Sequence, residues 1–155
     1  MGDNFITSKG ATLLFDTLKI CKSIVVLYIG WNEIDENCVE SLGEFIKSCP
    51  TLKKLDLSGK IFGDRISMGQ LNDEFVKKLF PFIKGNKNLE SIDFSNNEKI
   101  TNESISYLVE IIETSNINDI NINKTSLSSS SIIHLMLVNS KSQNKPLKQI
   151  NFQSK

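Results

Sequence analysis

One spacing recurs along the 155-residue chain and constrains its fold more than any other feature. Ile24, Leu27, Ile29 and Asn32 follow the pattern L-x-x-L-x-L-x-x-N. Leu52, Leu55, Leu57 and Lys60 repeat it with Lys last, and Leu89, Ile92, Phe94 and Asn97 repeat it in full. Ile117, Ile120, Ile122 and Thr125 repeat it with Thr last, and Leu147, Ile150 and Phe152 begin a fifth copy. Successive side chains of a strand point to opposite faces, so Leu27 and Ile29 share one side and Val26, Tyr28 and Gly30 the other. After the Asn position the period changes. Val39, Leu42 and Ile46 stand three and four apart and share one helical face. Ala11, Leu14 and Leu18, then Val76, Leu79 and Ile83, then Ile105, Leu108 and Ile112 do the same. The spacing predicts helices near 8–21, 36–48, 72–84 and 102–114, with a fifth near 129–140.

Strands alternating with helices give a parallel sheet covered by helices on one side. From Ile24 to Leu52 is 28 residues, from Leu89 to Ile117 is 28, and from Ile117 to Leu147 is 30. This is the signature of a leucine-rich repeat. The helical unit of that length resembles the ribonuclease-inhibitor-like class, which also contains the Ran GTPase-activating, tropomodulin and NOD-type receptor repeat domains. The resemblance implies an α/β solenoid, an open right-handed arc with about five parallel strands on the concave side and helices on the convex side. It covers nearly all of residues 1–155, read as one repeat domain or a segment of a longer protein. It implies binding and is almost silent on activity. A small-GTPase activator and a tropomodulin-like actin binder are the functions it brings beside a general interaction module.

A single repeat cannot bury enough apolar surface to offset the entropy of ordering its backbone, so stability must come from stacked neighbours. The Asn position has its own role: a buried amide satisfies backbone groups in the turn leaving the strand. Asn32 and Asn97 fit it. Lys60 only donates, which predicts an irregular turn after the second strand. That copy is also longer, since Leu52 to Leu89 is 37 residues. The excess falls in the loop 58–71, which holds Arg65, the chain's single Arg. Insertions in solenoids sit on one face and often bind, so Arg65 is a candidate contact. Packing of Ile61, Phe62, Ile66 and Met68 back on the body is the alternative.

Lys plus Arg and Asp plus Glu both number 18, which argues against a nucleic-acid partner. No apolar run reaches the roughly 18–20 residues of a membrane span, and the first residues lack signal-peptide character. An intracellular, cytoplasmic protein that does not bind membranes is expected, with secretion by a non-classical route left open. Cys21, Cys38 and Cys49 are too far apart for a disulfide framework and read as small buried residues. His134 is the only histidine and reads as structural. No metal site, cofactor or catalytic residue is expected: a nucleophile–base pair has no candidate base beside it. Ser128 to Ser131 reads as a helix start with several caps.

The outward strand positions therefore hold what the chain can use. Their central column is Tyr28, Asp56, Asp93, Asn121 and Asn151, with Lys54 beside Asp56 and Trp31 in the turn after Tyr28. Tyr and Trp are frequent anchors at protein interfaces. Tyr28, Trp31, Lys54, Asp56, Asp93, Asn121 and Arg65 are the candidate contacts to a protein partner. The acidic members could equally be a solvated face. Open solenoid ends offer self-association as a further possibility.

Overall fold

The computed structural model describes residues 4–60, 70–141 and 149–152. Five strand–helix units follow one another. Helix α1 (Ser8–Leu18) leads to strand β1 (Val26–Tyr28), then α2 (Val39–Ser48) to β2 (Lys54–Asp56) and α3 (Asp73–Ile83) to β3 (Ser91–Asp93). Helix α4 (Ile105–Thr114) leads to β4 (Asp119–Asn121) and α5 (Ser129–Lys141) to β5 (Gln149–Asn151). Short 3-10 turns at Glu36–Cys38 and Asn102–Ser104 open α2 and α4. The strands form one open parallel sheet in chain order, β1 to β5.

The register is that of a repeat. Leu27 pairs with Leu55, Leu55 with Ile92, Ile92 with Ile120, and Ile120 with Ile150. The aliphatic ribs therefore stack in a single row. Leu27, Leu55, Ile92 and Ile120, with Ile29, Leu57, Phe94 and Ile122, are buried against the inner faces of the helices, including Phe15, Phe45, Phe75 and Ile111, and Ile150 is half-buried at the end of the row. Phe15 and Phe45 stack with ring centroids 6.4 Å apart, carrying the core from α1 into α2.

The Asn position works as its chemistry predicts. Asn32 donates from its amide to the Ile29 and Gly30 carbonyls, and its Oδ1 accepts from the Asn4 and Ile6 N–H groups of the preceding unit. Asn97 donates to the Phe94, Ser95 and Leu57 carbonyls, and its Oδ1 accepts from Leu71 N. It thus ties both feet of the long loop that Lys60 cannot tie. Thr125 donates one bond, to the Ile122 carbonyl. The turn after β2 departs from its neighbours. Phe5, Trp31, Asn96 and Lys124 take left-handed backbone with φ of 52°, 59°, 60° and 55°. Gly59 makes the same ladder bond as Trp31 but does not take that conformation. A Cβ at Gly59 would meet the Asn96 carbonyl oxygen at 2.1 Å.

Side chains at the helix starts latch one unit to the next. The Ser8 hydroxyl donates to Asp35, whose own N–H donates back to Ser8. Asp73 accepts from Thr101 N–H, Thr101 hydroxyl and Ser104 hydroxyl. Asn102 accepts from Ser128 N–H and Ser131 hydroxyl, and Ser128 accepts from Ser131 N–H as a cap on α5.

Three sequence expectations change. Cys38 and Cys49 are buried, but Cys21 lies after the end of α1 and is only half-buried. His134 is exposed on α5 and is not a core residue. Gly30 is buried rather than open on the outward face, for a reason given below. Arg65, Ile61, Phe62, Ile66 and Met68 lie outside the described residues.

Candidate functional site

The face of the sheet away from the helices is built by strand alternation. Tyr28, Lys54 and Gln149 are exposed there, and Val26, Asp56, Ser91, Asp93, Asp119, Asn121 and Asn151 are half-buried. Pairing places Tyr28 beside Asp56, Asp56 beside Asp93, Asp93 beside Asn121 and Asn121 beside Asn151. Five of the sequence candidates, Tyr28, Lys54, Asp56, Asp93 and Asn121, thus lie on one surface. Trp31 follows at the β1 end.

Within this row the residues do different work. The Asp56 carboxylate accepts from Ser58 N–H and Ser58 hydroxyl, Asp93 from Ser95 N–H, and the Asn121 carbonyl oxygen from Asn123 N–H. Each closes the turn two residues beyond its own strand, a bond that Asp and Asn side chains are short enough to make. Asn121 also donates to the second oxygen of Asp93 at 2.8 Å. The Asp56 and Ser58 side chains lie over Gly30, where a Cβ would come within 2.6 Å of both. Only a residue without a side chain fits beneath them.

Tyr28 and Trp31 have no such duty. Tyr28 is 57% and Trp31 48% exposed, and neither side chain bonds to another described residue. Trp31 is also strained: a bulky residue at positive φ costs on the order of 1–2 kcal/mol relative to a right-handed backbone. Asn96 holds the same place after β3, where Asn tolerates the conformation. Phe5, which the sequence reading passed over, takes this conformation one unit earlier and is 65% exposed, with Lys60 Nζ 4.8 Å from its ring centroid. Its signal was the 26-residue offset to Trp31, hidden because the first unit lacks its own strand motif.

The charge of the face is one-sided toward β4. Asp56, Asp93 and Asp119 form no ion pair among the described residues, although Lys53 and Glu90 pair at 2.9 Å just before their strands. Asp56 and Asp93 sit on adjacent strands about 4.8 Å apart, a like-charge juxtaposition that destabilises a sheet. Ser91 donates to one oxygen of Asp119. The other Asp119 oxygen and the Asn123 side-chain oxygen are buried without a partner among the described residues.

Elsewhere the surface is less specific. A shallow groove of about 520 Å³ on the helix side mixes Glu36, Glu40 and Lys78 with Val39, Pro81 and Phe82. Burial pushes the Cys38 thiol up to about 11, so it stays protonated and is a poor nucleophile. Among the described residues no three His, Cys, Asp or Glu side chains are placed to share a metal ion. None of the helices described is long and apolar enough to cross a membrane.

Comparison with known proteins agrees with this architecture. A family model described as leucine-rich repeat matches residues 85–109. No curated protein sequence matches the chain. Among solved structures 41 chains match. One is described as leiomodin-1 actin-binding site 2; it superposes with a TM-score of 0.67 at 11% identity, covering 92% of this chain and 79% of that one. At that identity the likeness is one of fold.

Proposed function

We propose that this leucine-rich-repeat protein is a non-enzymatic interaction module of the ribonuclease-inhibitor-like kind, which holds a protein partner against the concave face of its sheet at the β1 end. The reading is carried by the aromatic pair Tyr28 and Trp31. Both side chains are about half exposed, one sits on strained backbone, and neither side chain makes a bond that the fold needs. The left-handed turn is shared with Phe5, Asn96 and Lys124, so it is the presence of a bulky, exposed aromatic at a place where Asn96 serves without strain that supports contact rather than packing. Lys54, Asp56, Asp93 and Asn121 supply the polar surround, the last three already oriented by the turns they close. Arg65 and the centre of the loop 58–71 lie outside the described residues and carry no part of this reading.

The leiomodin-1 neighbour makes actin the first defined partner to assay. Wild-type chain and the Tyr28→Ala/Trp31→Ala double variant would be compared in actin co-sedimentation and in capture from an extract of the source cells. Truncating two anchors should weaken retention of the partner by roughly 30-fold, the equivalent of about 2 kcal/mol. The melting temperature should stay within a degree or two of wild type. Unfolding of the variant would mark Tyr28 and Trp31 as core residues. Unchanged capture would move the partner off this face.

A further inference from the structure

Helices α2 and α3 meet closely at Gly43, where a Cβ would come within 2.2 Å of the Phe82 ring. Beside that contact, toward the start of α2, lies the groove of about 520 Å³. Val39, Pro81 and Phe82 give it an apolar lining, and Glu36 and Glu40 stand about one helical turn apart on its α2 wall. Neither glutamate forms an ion pair among the described residues. Glu36 accepts from the Asn72 side-chain amide at 3.4 Å, and Lys78, the cation of the lining, lies 4.0 Å from Glu74. Val39 and Val76 open the same stripe in successive helices, so Asp73 and Lys77 hold the matching places one unit on. Those two are committed: Asp73 bonds to Thr101 and Ser104, and Lys77 pairs with Glu74 at 3.1 Å. A glutamate near a helix start complements the helix dipole, but that role needs no apolar lining beside it. Ile133, Met136 and Leu137 also leave an apolar stripe exposed on the outside of α5, yet it carries no charge to select a ligand.

We propose that this groove is a second binding site, which takes an arginine side chain presented by a segment of a partner protein. Charge complementarity selects a cation. Two carboxylates without a counter-ion attract one and repel an acidic ligand. The apolar lining then selects among cations. A guanidinium is planar and weakly hydrated, so it packs flat on a ring and still donates in its own plane to a carboxylate, often through two bonds. A lysine ammonium is strongly hydrated and offers no flat face. The arginine stem would lie along Pro81 and Phe82 with its head at Glu36 and Glu40, an apolar body with a charged tip. Phe82 already accepts a cation at its far end, where Lys47 Nζ is 4.5 Å from the ring centroid. Lys78 opposes the ligand's charge and keeps the affinity low, and on an open surface the attraction weakens with salt. The groove is on the helix side of the chain, so this site does not depend on the concave-face reading.

Titration of the 155-residue chain with the peptide acetyl-Leu-Arg-Leu-amide, followed by nuclear magnetic resonance, tests it. Amide signals around Glu36, Glu40, Lys78 and Phe82 should shift and saturate, and those of the strands should not. The same peptide with citrulline, which keeps the shape and loses the charge, should bind roughly 10-fold more weakly, and the lysine peptide should fall between the two. Glu36→Gln/Glu40→Gln should lose roughly 10-fold in affinity for the arginine peptide with unchanged circular dichroism. Glu40→Gln alone, at an exposed position, carries the test if the double variant does not fold. Lys78→Gln should tighten binding, because it removes the opposing charge. Tyr28→Ala/Trp31→Ala should bind the peptide as wild type does, and Glu36→Gln/Glu40→Gln should leave partner capture by the concave face intact, so the two sites fail separately. Absence of saturable shifts would overturn the assignment. So would shifts centred on Asp56 and Asp93, a citrulline or lysine peptide that binds as well as the arginine one, or an affinity unchanged by the glutamine substitutions.

Discussion

Asn97 is fully buried and bonds to four backbone groups, one of them across the gap left by Lys60. Replacing it strands buried carbonyls and an N–H, each costing about 1–3 kcal/mol when unsatisfied. Asn97→Ala should therefore destabilise the chain by on the order of 3 kcal/mol or more in urea unfolding, and Thr125→Ala, which removes a single bond, by much less. Equal effects would contradict the bonding described. Gly59→Ala should be severe, because its Cβ would collide with backbone, while Gly10→Ala, whose nearest contact is the Ile6 side chain at 3.3 Å, should be tolerated. The role of Asn97 was legible as a motif position; its reach to Leu57 was not, because Leu57 belongs to the preceding unit, 40 residues away in the chain. The burial of Gly30 was likewise hidden. It follows from Asp56 and Ser58 on the neighbouring strand, which no local pattern reveals.

Each element was legible where periodicity was strong. The four apolar stripes of α1 to α4 located those helices, and the alternation around Leu27, Leu55, Ile92 and Ile120 located the strands. Leu57, buried beneath β2, should cost roughly 2–5 kcal/mol on truncation to Ala by cavity formation. Helix α5 was placed correctly, but its outer stripe and the exposure of His134 were missed because an apolar surround was read as a core. The junction between α1 and α2 gives a pH-dependent test. Burial alone would raise the Asp35 carboxyl, but bonds from the Ser8 hydroxyl and from the Asn37 N–H and side-chain amide hold it below its usual range. The folded chain thus binds that proton more weakly than the unfolded one. The stability so contributed is present above the ordinary value near ~3.9 and is lost as pH falls through the lower folded value. Asp35→Asn should flatten this part of the acid dependence in denaturant unfolding; an unchanged slope would show that the latch contributes nothing.

At the scale of the molecule, five units share one row of ribs and one run of parallel hydrogen bonds, so an internal break cannot stay local. The repeat spacing made this architecture readable before any coordinate, because stacking is the only way such units bury their apolar faces. The partner-binding face was readable only as a set of outward positions. Which of them are free, as Tyr28 and Trp31 are, and which are committed to turns, as Asp56 and Asp93 are, required the hydrogen bonds across units. The separation of the two sheet faces can be measured by thiol labelling. In a background with Cys21, Cys38 and Cys49 replaced by Ala, single Cys substitutions at the exposed Tyr28, Lys54 and Gln149 should label at rates near those of an unfolded control. Substitutions at Leu55, Ile92 and Ile120 should be protected to the extent of global unfolding. Labelling that does not alternate along the strands would contradict a sheet with one buried and one open face.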